Sequence, residues 1–127
     1  MDINHISGQI VDAAIQVHRM LGPGLLESAY EACLKYELLK RGLKVESQLP
    51  LHIMYEGIKI EAGYKLDLLV EDCVIVELKA VEKMIPLYDA QLLSYLKLGD
   101  KRLGLRINFN VVKLVDGVKR IANNLPQ

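Results

Sequence analysis

The chain lacks several features that would indicate a secreted, disulfide-bonded or membrane-spanning protein. It has two cysteines, Cys33 and Cys73, which lie far apart in apolar surroundings. They match no paired-cysteine zinc pattern and make a poor disulfide framework, so we expect both to be reduced core residues. No segment reaches the roughly 18 uncharged apolar residues of a membrane span, and the N-terminus has no secretory signal pattern. These absences predict a soluble, cytoplasmic protein that does not enter a membrane.

An excess of charge of one sign is also absent, because 16 basic residues balance 16 acidic ones. This balance at first argues against a nucleic-acid partner. The distribution is uneven, however, since residues 97–120 contain seven basic and two acidic side chains. This basic region could contact phosphates, although a solvated, lysine-rich surface explains it equally well.

Repeats, linkers and low-complexity segments are absent too, and a 127-residue chain with 51% hydrophobic content should form one domain, 1–127, around one core. Apolar side chains at three- and four-residue spacing predict helices, whereas alternation predicts strands. The predicted helices are 3–21, 25–41 and 87–98, and the predicted strands include 51–55, 58–62, 64–70, 73–79 and 103–109. A last turn at Asp116-Gly117 joins 111–115 to 118–122. The order α-α-β-β-β-β-α-β-β predicts a mixed α/β fold.

Residues 51–62 carry a strong hairpin signal, because two alternating segments flank the turn residues Glu56-Gly57. A two-residue turn here predicts three cross-strand pairs, namely Tyr55 with Ile58, Ile53 with Ile60 and Leu51 with Ala62. All six side chains would then lie on one face of the hairpin.

Acidic residues stand out at two points of this apolar background: Asp67, and Glu77 in the triplet Glu77-Leu78-Lys79. The triplet closes the apolar run 73–80, whose composition predicts a strand buried on both faces. Burying an unpaired charge costs several kcal/mol, so these side chains need a partner. A divalent cation held by the carboxylates would provide one. A structural salt-bridge cluster of Asp67, Glu77 and Lys79 is the alternative.

The loop that joins these two strands decides whether the acids can meet. A two-residue loop, Glu71-Asp72, would send the Asp67 carboxylate to the opposite face from Glu77. A three-residue loop, 71–73, would place Asp67 opposite Glu77, with Cβ atoms about 5 Å apart. We predict the odd-length loop or an equivalent bulge, with Glu77 and Lys79 on the same face as Asp67.

The donor set indicates which metal such a site would hold. Carboxylate oxygens are hard ligands that suit Mg²⁺ or Mn²⁺. Zinc prefers a histidine or cysteine set, and the three histidines are scattered along the chain. His18 lies beside the apolar stripe of the first helix and is expected to flank the core rather than bind metal. Lys79 would project beside the ion, where an ammonium can orient or help to deprotonate an attacking water and offset charge on phosphorus.

A second candidate constellation is the segment Gly24-Leu25-Leu26-Glu27-Ser28-Ala29-Tyr30. Glu27 and Tyr30 are three residues apart at the start of a helix and therefore share a face. The helix dipole favours a carboxylate in the first turn. Taken by itself, this effect is enough to explain Glu27.

The segment resembles the signature of the GxxExxY family, small prokaryotic proteins assigned to the PD-(D/E)XK nuclease superfamily. The resemblance extends along the chain in the family's order. It comprises 17–30, 67–70, 75–80, 90–96 and 105–110. Coverage of essentially the whole chain makes chance similarity a poor explanation.

The resemblance implies a restriction-endonuclease-like core, a central mixed β-sheet flanked by helices, with a metal site where the sheet bends. It also implies Mg²⁺ or Mn²⁺ as cofactor and DNA or RNA as substrate. The residues it assigns to the metal are Glu27, Asp67, Glu77 and the carbonyl of Leu78. It further assigns Lys79 to the attacking water and Gln91 to steadying the site.

Three positions depart from what the resemblance leads us to expect. Leu66 stands where the superfamily name has proline, which leaves the ligand Asp67 in place. Tyr88 stands where histidine is expected, and Arg106 interrupts an apolar strand. No catalytic or substrate role is therefore carried over to Tyr88 or Arg106.

The sequence leaves two classes of function open. One is Mg²⁺- or Mn²⁺-dependent hydrolysis of DNA or RNA, for which a homodimer would engage both strands. The other is a non-catalytic nucleic-acid-binding or protein-interaction module that keeps the fold, and the neutral net charge favours it. Three charges retained around one point favour the enzyme. Asn108 and Asn110 could contact a phosphate backbone or serve ordinary strand-end and turn roles.

Overall fold

The computed structural model describes residues 1–125, which form three α-helices, five strands and one short 3₁₀ helix. The helices are α1 (Ile3–Leu21), α2 (Glu27–Lys40) and α3 (Pro86–Leu98). The strands are β1 (Val45–Tyr55), β2 (Ile58–Val70), β3 (Val74–Lys79), β4 (Leu103–Asn108) and β5 (Val118–Ala122). The predicted mixed α/β fold is confirmed. The elements follow the predicted order, with one strand where two adjacent ones were expected.

The helices begin and end at local sequence signals. α1 has the predicted bounds, and the Asp2 side chain caps it by accepting a hydrogen bond from the His5 N–H. α2 is shorter than the predicted 25–41, because Leu26 is its N-cap. Gly42, with a φ of 85°, reverses the chain after α2 through paired hydrogen bonds to the last turn. No helix within residues 1–125 has the length and apolar composition needed to cross a membrane.

The five strands form one sheet in the order β1-β2-β3-β4-β5. β3 and β4 are parallel, whereas the other neighbours are antiparallel. A parallel pair needs a crossover connection, and α3 supplies it. α1 and α2 cover one face of the sheet, and α3 covers the other. This is the restriction-endonuclease-like architecture that the resemblance implied.

β3 lies at the centre of this core and is buried on both faces, as predicted. Val74, Val76 and Leu78 pack with α1 and α2, whereas Ile75 packs with α3. All four are at most 1% exposed. Because side chains alternate along a strand, Glu77 shares the α3 face with Ile75.

One prediction about strand boundaries was wrong. Segments 58–62 and 64–70, expected to be two strands, form the single strand β2. Gly63 has a φ of 80° and lies in a bulge that bends the strand without ending it. β1 is also longer than predicted, since its first half, 45–50, pairs with the second half of β2.

The bulge also changes the register of the hairpin. Two predicted pairs are confirmed, Tyr55 with Ile58 and Ile53 with Ile60. The third was wrong, because Leu51 pairs with Tyr64 instead of Ala62. At the bulge β2 contributes three residues where β1 contributes one, and this extra length shifts the pairing.

The segment before β5 is irregular, and Asp116 and Gly117, predicted to form a turn, belong to a 3₁₀ helix. Residues 111–113 form no strand, and Leu114–Gly117 forms the 3₁₀ helix. Leu114 is 4% exposed and joins the core cluster on the α1 and α2 side. Gly117 packs so closely that a Cβ there would overlap the carbonyl oxygen of Asn108. The 3₁₀ conformation allows both the burial of Leu114 and the close approach of Gly117, and an extended segment is not formed here.

The tip of the β1–β2 hairpin is not covered by the rest of the described chain. Tyr55, Ile58 and Ile60, which belong to its apolar face, are 61%, 64% and 42% exposed. Neighbouring apolar side chains exposed to this extent are typical of interaction surfaces.

Candidate functional site

The candidate site lies where β2 and β3 stop pairing. The loop between these strands has three residues, 71–73, and Leu68 pairs with Val76. The same register continues to Asp67 and Glu77, which therefore lie opposite each other. The predicted odd-length loop and the register that depends on it are confirmed.

Asp67 and Glu77 contact each other's strands through hydrogen bonds. A Glu77 carboxylate oxygen accepts from the Asp67 N–H at 3.2 Å, and an Asp67 carboxylate oxygen accepts from the Leu78 N–H at 2.8 Å. The two bonds link β2 and β3 just beyond their last paired residues. Among residues 1–125, neither acid forms an ion pair with a cationic side chain.

The β2 backbone rotates at Asp67. Leu68 packs in the cluster with α1 and α2, whereas Leu66 and Leu69 pack in the cluster with α3. Strict alternation would put Leu66 and Leu68 on one face, so the strand must twist between them. The candidate site therefore lies at a bend in the sheet. The bend allows the Asp67 carboxylate to approach Glu77 on one side and α2 on the other.

Glu77 lies in surroundings that disfavour its charge. Its exposed fraction is 7%. Burial, and then the adjacent charge of Asp67, raise the pKa of Glu77 from 4.5 to about 8. Lys79 opposes this rise only weakly. The acid pair therefore binds a proton more tightly than two separated carboxylates would.

Lys79 extends from β3 toward the start of α3. Its Nζ lies over the ring of Tyr88, 4.6 Å from the ring centroid, which is a cation–π distance. Tyr88 is the position at which histidine was expected. In this chain the Tyr88 ring holds the ammonium of Lys79, which follows Glu77 by two residues.

Gln91 forms a hydrogen bond with a neighbour on α3. Its Nε2 donates to the hydroxyl of Tyr95 at 3.0 Å. Burial, and then the negative charge of Glu77, raise the pKa of Tyr95, which packs in the cluster on the α3 side together with Ile75. The structure thus ties Gln91 to Tyr95, on the α3 side of the sheet that Glu77 also faces.

α2 brings acidic residues to the other side of Asp67. A cavity of about 450 Å³ is lined by Glu27, Ser28, Glu31, Gln48, Asp67 and Leu78. Within residues 1–125, no group of three or more His, Cys, Asp or Glu side chains is arranged to hold a metal ion. The structure brings Asp67 together with Glu77 and places Glu27 at the cavity wall, but it does not unite all three. Mutual repulsion of carboxylates opposes such a cluster.

Two residues of this cavity, Glu31 and Gln48, were missed by the sequence analysis. Gln48 Nε2 donates to Glu31 Oε1 at 2.7 Å and lies 3.5 Å from Asp67 Oδ1. Burial raises the pKa of Glu31. A signal did exist for Glu31, because it follows Glu27 by four residues and like charges at that spacing destabilise a helix. Gln48 gave no signal, since a polar residue in an edge strand is ordinary.

Tyr30, the last residue of the GxxExxY motif, anchors the loop before α2. Its ring stacks on Phe109 with centroids 4.4 Å apart. Its hydroxyl donates to the Gly22 carbonyl at 2.6 Å and accepts from the Leu25 N–H at 3.1 Å. The tyrosine thus fixes the backbone two residues before Glu27, the acidic residue of the same motif.

We expect Tyr30→Phe to lower the free energy of unfolding by about 1–2 kcal/mol, because it leaves the Gly22 carbonyl and the Leu25 N–H without their partner. Stacking on Phe109 would remain, so the helix should still form. Urea denaturation measures the change. Tyr36→Phe is the matched control, since Tyr36 is 68% exposed and should lose nothing measurable. Equal stability of Tyr30→Phe and wild type would contradict the anchoring role.

Cys33, Cys73 and His18 serve the core. Both cysteines are free, as predicted, and pack half-buried against the core cluster. His18 is buried, and its Nε2 lies 2.9 Å from the Val111 carbonyl oxygen. The expectation that His18 flanks the core is confirmed.

Much of the basic region is engaged in contacts within the protein. Its tethered side chains are Lys101 with Asp72, Arg106 and Lys119 with Asp89, and Arg120 with Asn4 and Ser7. Arg106, which interrupts the apolar strand β4, is 8% exposed and ties that strand to α3 through Asp89. These contacts weaken the interpretation of the region as a phosphate-binding surface.

Asn108 likewise has a structural role. Its side-chain amide donates to the Val81 carbonyl, and its side-chain oxygen accepts from the N–H groups of Val81 and Asn110. The residue is 3% exposed. It holds the chain that leaves β3 directly after Lys79.

Comparison with known proteins agrees with this restriction-endonuclease-like fold. The profile described as the PD-(D/E)XK nuclease superfamily matches residues 4–121. The chain therefore belongs to the PD-(D/E)XK nuclease superfamily. A solved structure described as "Crystal Structure of LHK-Exo in complex with dAMP" is similar at 13% identity, covering 93% of this chain and 83% of that chain, with a TM-score of 0.48. The comparison with curated proteins found no match.

Proposed function

We propose that this protein is a divalent-metal-dependent nuclease that hydrolyses phosphodiester bonds of DNA or RNA. The observation that carries the proposal is the opposed pair Asp67 and Glu77, followed by Lys79, at the bend of the sheet in a member of this superfamily. An acid pair and a lysine just beyond the paired part of β2 and β3 suit charge stabilisation at a phosphate better than they suit packing.

The donor chemistry of the site fits a hard divalent cation. Asp67 and Glu77 supply carboxylate oxygens, and their negative charge has no cationic side-chain partner among residues 1–125. Oxygen ligands of this kind suit Mg²⁺ or Mn²⁺. Glu27 and the Leu78 carbonyl, both residues of the adjoining cavity, would complete the ligand set. When bound, the cation supplies Lewis acidity at the phosphate and activates water.

The chain's own residues would then divide the remaining work. The Lys79 ammonium orients the attacking water and offsets the charge that develops on phosphorus. Tyr88 holds that ammonium on the α3 side through its ring. Gln91 steadies the wall of the site through its bond to Tyr95. Pairing of two copies as a homodimer would allow both strands of a duplex to be engaged.

The test is incubation of the purified protein with single-stranded, double-stranded and branched DNA and with RNA, in Mn²⁺, in Mg²⁺ and in a chelator. We expect cleavage of at least one substrate class in metal and none in the chelator. Calorimetry with Mn²⁺ in the absence of substrate provides an independent measurement of binding. Intact substrate in every reaction, together with no Mn²⁺ binding, would overturn the proposal.

A non-catalytic interaction module is the second candidate, and the exposed apolar tip of the β1–β2 hairpin favours it. A surface of this kind suits a protein partner rather than a phosphate backbone. The substrate incubation described above distinguishes the two candidates, because an interaction module would leave every substrate intact with or without metal.

A further inference from the structure

Gln48 has a backbone conformation that its place in the sheet does not require. It lies in β1 between Ser47 and Leu49, both of which pair with β2. Its φ is nevertheless 51°, in the left-handed region that disfavours residues with a Cβ. Asp67 is the residue of β2 that lies opposite Gln48. Strain of this kind persists where the surrounding structure holds it, often beside functional groups.

The strained residue directs its amide between carboxylates. Gln48 Nε2 donates to Glu31 Oε1 at 2.7 Å and lies 3.5 Å from Asp67 Oδ1. The other Asp67 oxygen, Oδ2, accepts from the Leu78 N–H. Both oxygens of Asp67 therefore face a neutral donor, one on each side.

A neutral donor differs from a cation at this position. A lysine between Glu31 and Asp67 would neutralise the negative charge that attracts a metal ion, whereas an amide orients the carboxylates and leaves their charge in place. Lys35, four residues after Glu31 on α2, donates to Ser47 Oγ at 2.8 Å instead. The arrangement thus keeps the carboxylates close together without an ion pair.

We infer that Gln48, acting with Glu31, is a positioning residue that orients Asp67 for a divalent cation. This inference rests on the proposed function, since it assumes that Asp67 is a metal ligand. Neither Gln48 nor Glu31 needs to contact the ion. They act through the Asp67 carboxylate, as outer hydrogen-bond partners of metal ligands do.

The test separates backbone strain from the amide. Gln48→Gly removes the side chain and also relieves the left-handed conformation, so the urea midpoint should be unchanged or slightly higher. The Kd for Mn²⁺, measured by calorimetry, should rise by about 10- to 100-fold. Glu56→Gly is the matched control, because Glu56 has the same φ of 51° in the exposed hairpin turn. Glu56→Gly should have a urea midpoint similar to that of Gln48→Gly and the wild-type Kd for Mn²⁺.

A double-mutant cycle tests whether the two residues act together. Glu31→Gln should also raise the Kd for Mn²⁺. The Kd of the double variant, Glu31→Gln with Gln48→Gly, should not exceed the higher of the two single-variant Kd values. Independent multiplication of the two effects would overturn the joint role.

The possible failures can be told apart. Wild-type Mn²⁺ affinity in a folded Gln48→Gly protein would overturn this inference and leave the nuclease proposal standing. A urea midpoint that falls for Gln48→Gly but not for Glu56→Gly would show that Gln48 is structural, which also overturns it. A wild-type protein that binds no Mn²⁺ would overturn both proposals.

Discussion

Lys79→Ala is expected to lower the rate of phosphodiester cleavage by about 10²- to 10³-fold, the usual cost of removing a preorganised charge from a reacting centre. The lysine is two residues beyond the acid pair, and its ammonium is held over the Tyr88 ring. Without the Lys79 ammonium, the negative charge that develops on the phosphate in the transition state is no longer stabilised by a nearby cation. Single-turnover rates with saturating Mn²⁺ on the best substrate of the panel provide the measurement.

Lys83→Ala is the matched control for this variant. Lys83 is exposed and lies four residues further along the chain, in the segment between β3 and α3. It should cleave at the wild-type rate. Both variants should bind Mn²⁺ as wild type does, because neither removes a carboxylate. A Lys79→Ala protein that cleaves as fast as Lys83→Ala would remove the lysine from the mechanism.

Glu77 should make the metal-free protein less stable as the pH rises. Its pKa is raised from 4.5 to about 8 in the folded protein, so between these values the folded state binds more protons than the unfolded chain. The contribution of Glu77 to stability is therefore fully present below pH 4.5 and is lost as the pH passes 8. At 1.36 kcal/mol for each pKa unit, the loss approaches about 5 kcal/mol as an upper bound.

Urea unfolding of wild type and Glu77→Gln between pH 5 and pH 8.5, in a chelator, isolates this contribution. Glutamine remains neutral, so the difference between the two proteins should grow as the pH rises, with Glu77→Gln the more stable at pH 8.5. Added Mn²⁺ should raise the stability of wild type and have little effect on Glu77→Gln. Parallel pH profiles of the two proteins would show that Glu77 titrates normally.

The parts of the fold that were predicted correctly are those fixed by local pattern. The loop of three residues between β2 and β3 sets their register, and this register brought Asp67 opposite Glu77. The bounds of α1 follow from its periodicity and its Asp2 cap. In each case neighbouring residues carry the information that the structure uses.

The parts that were missed depend on contacts between distant residues or on backbone angles. Gly63 looked like a break between strands, because a bulge preserves alternation on both of its sides. The left-handed φ of Gln48 is not specified by residue type, so its bridge between Glu31 and Asp67 was invisible. Arg106 finds its counter-charge, Asp89, on a different element.

The arrangement of β3 between β2 and β4 also has a consequence for folding. The β2–β3 hairpin can form from adjacent residues, but β4 reaches β3 only after α3 has crossed over the sheet. Until then one edge of the most apolar strand is open to pairing with other chains, which is how aggregation begins. Glu77 and Lys79 interrupt the apolar character of that edge near its end. The charges of the candidate site should therefore also act as gatekeepers that keep newly made chains soluble.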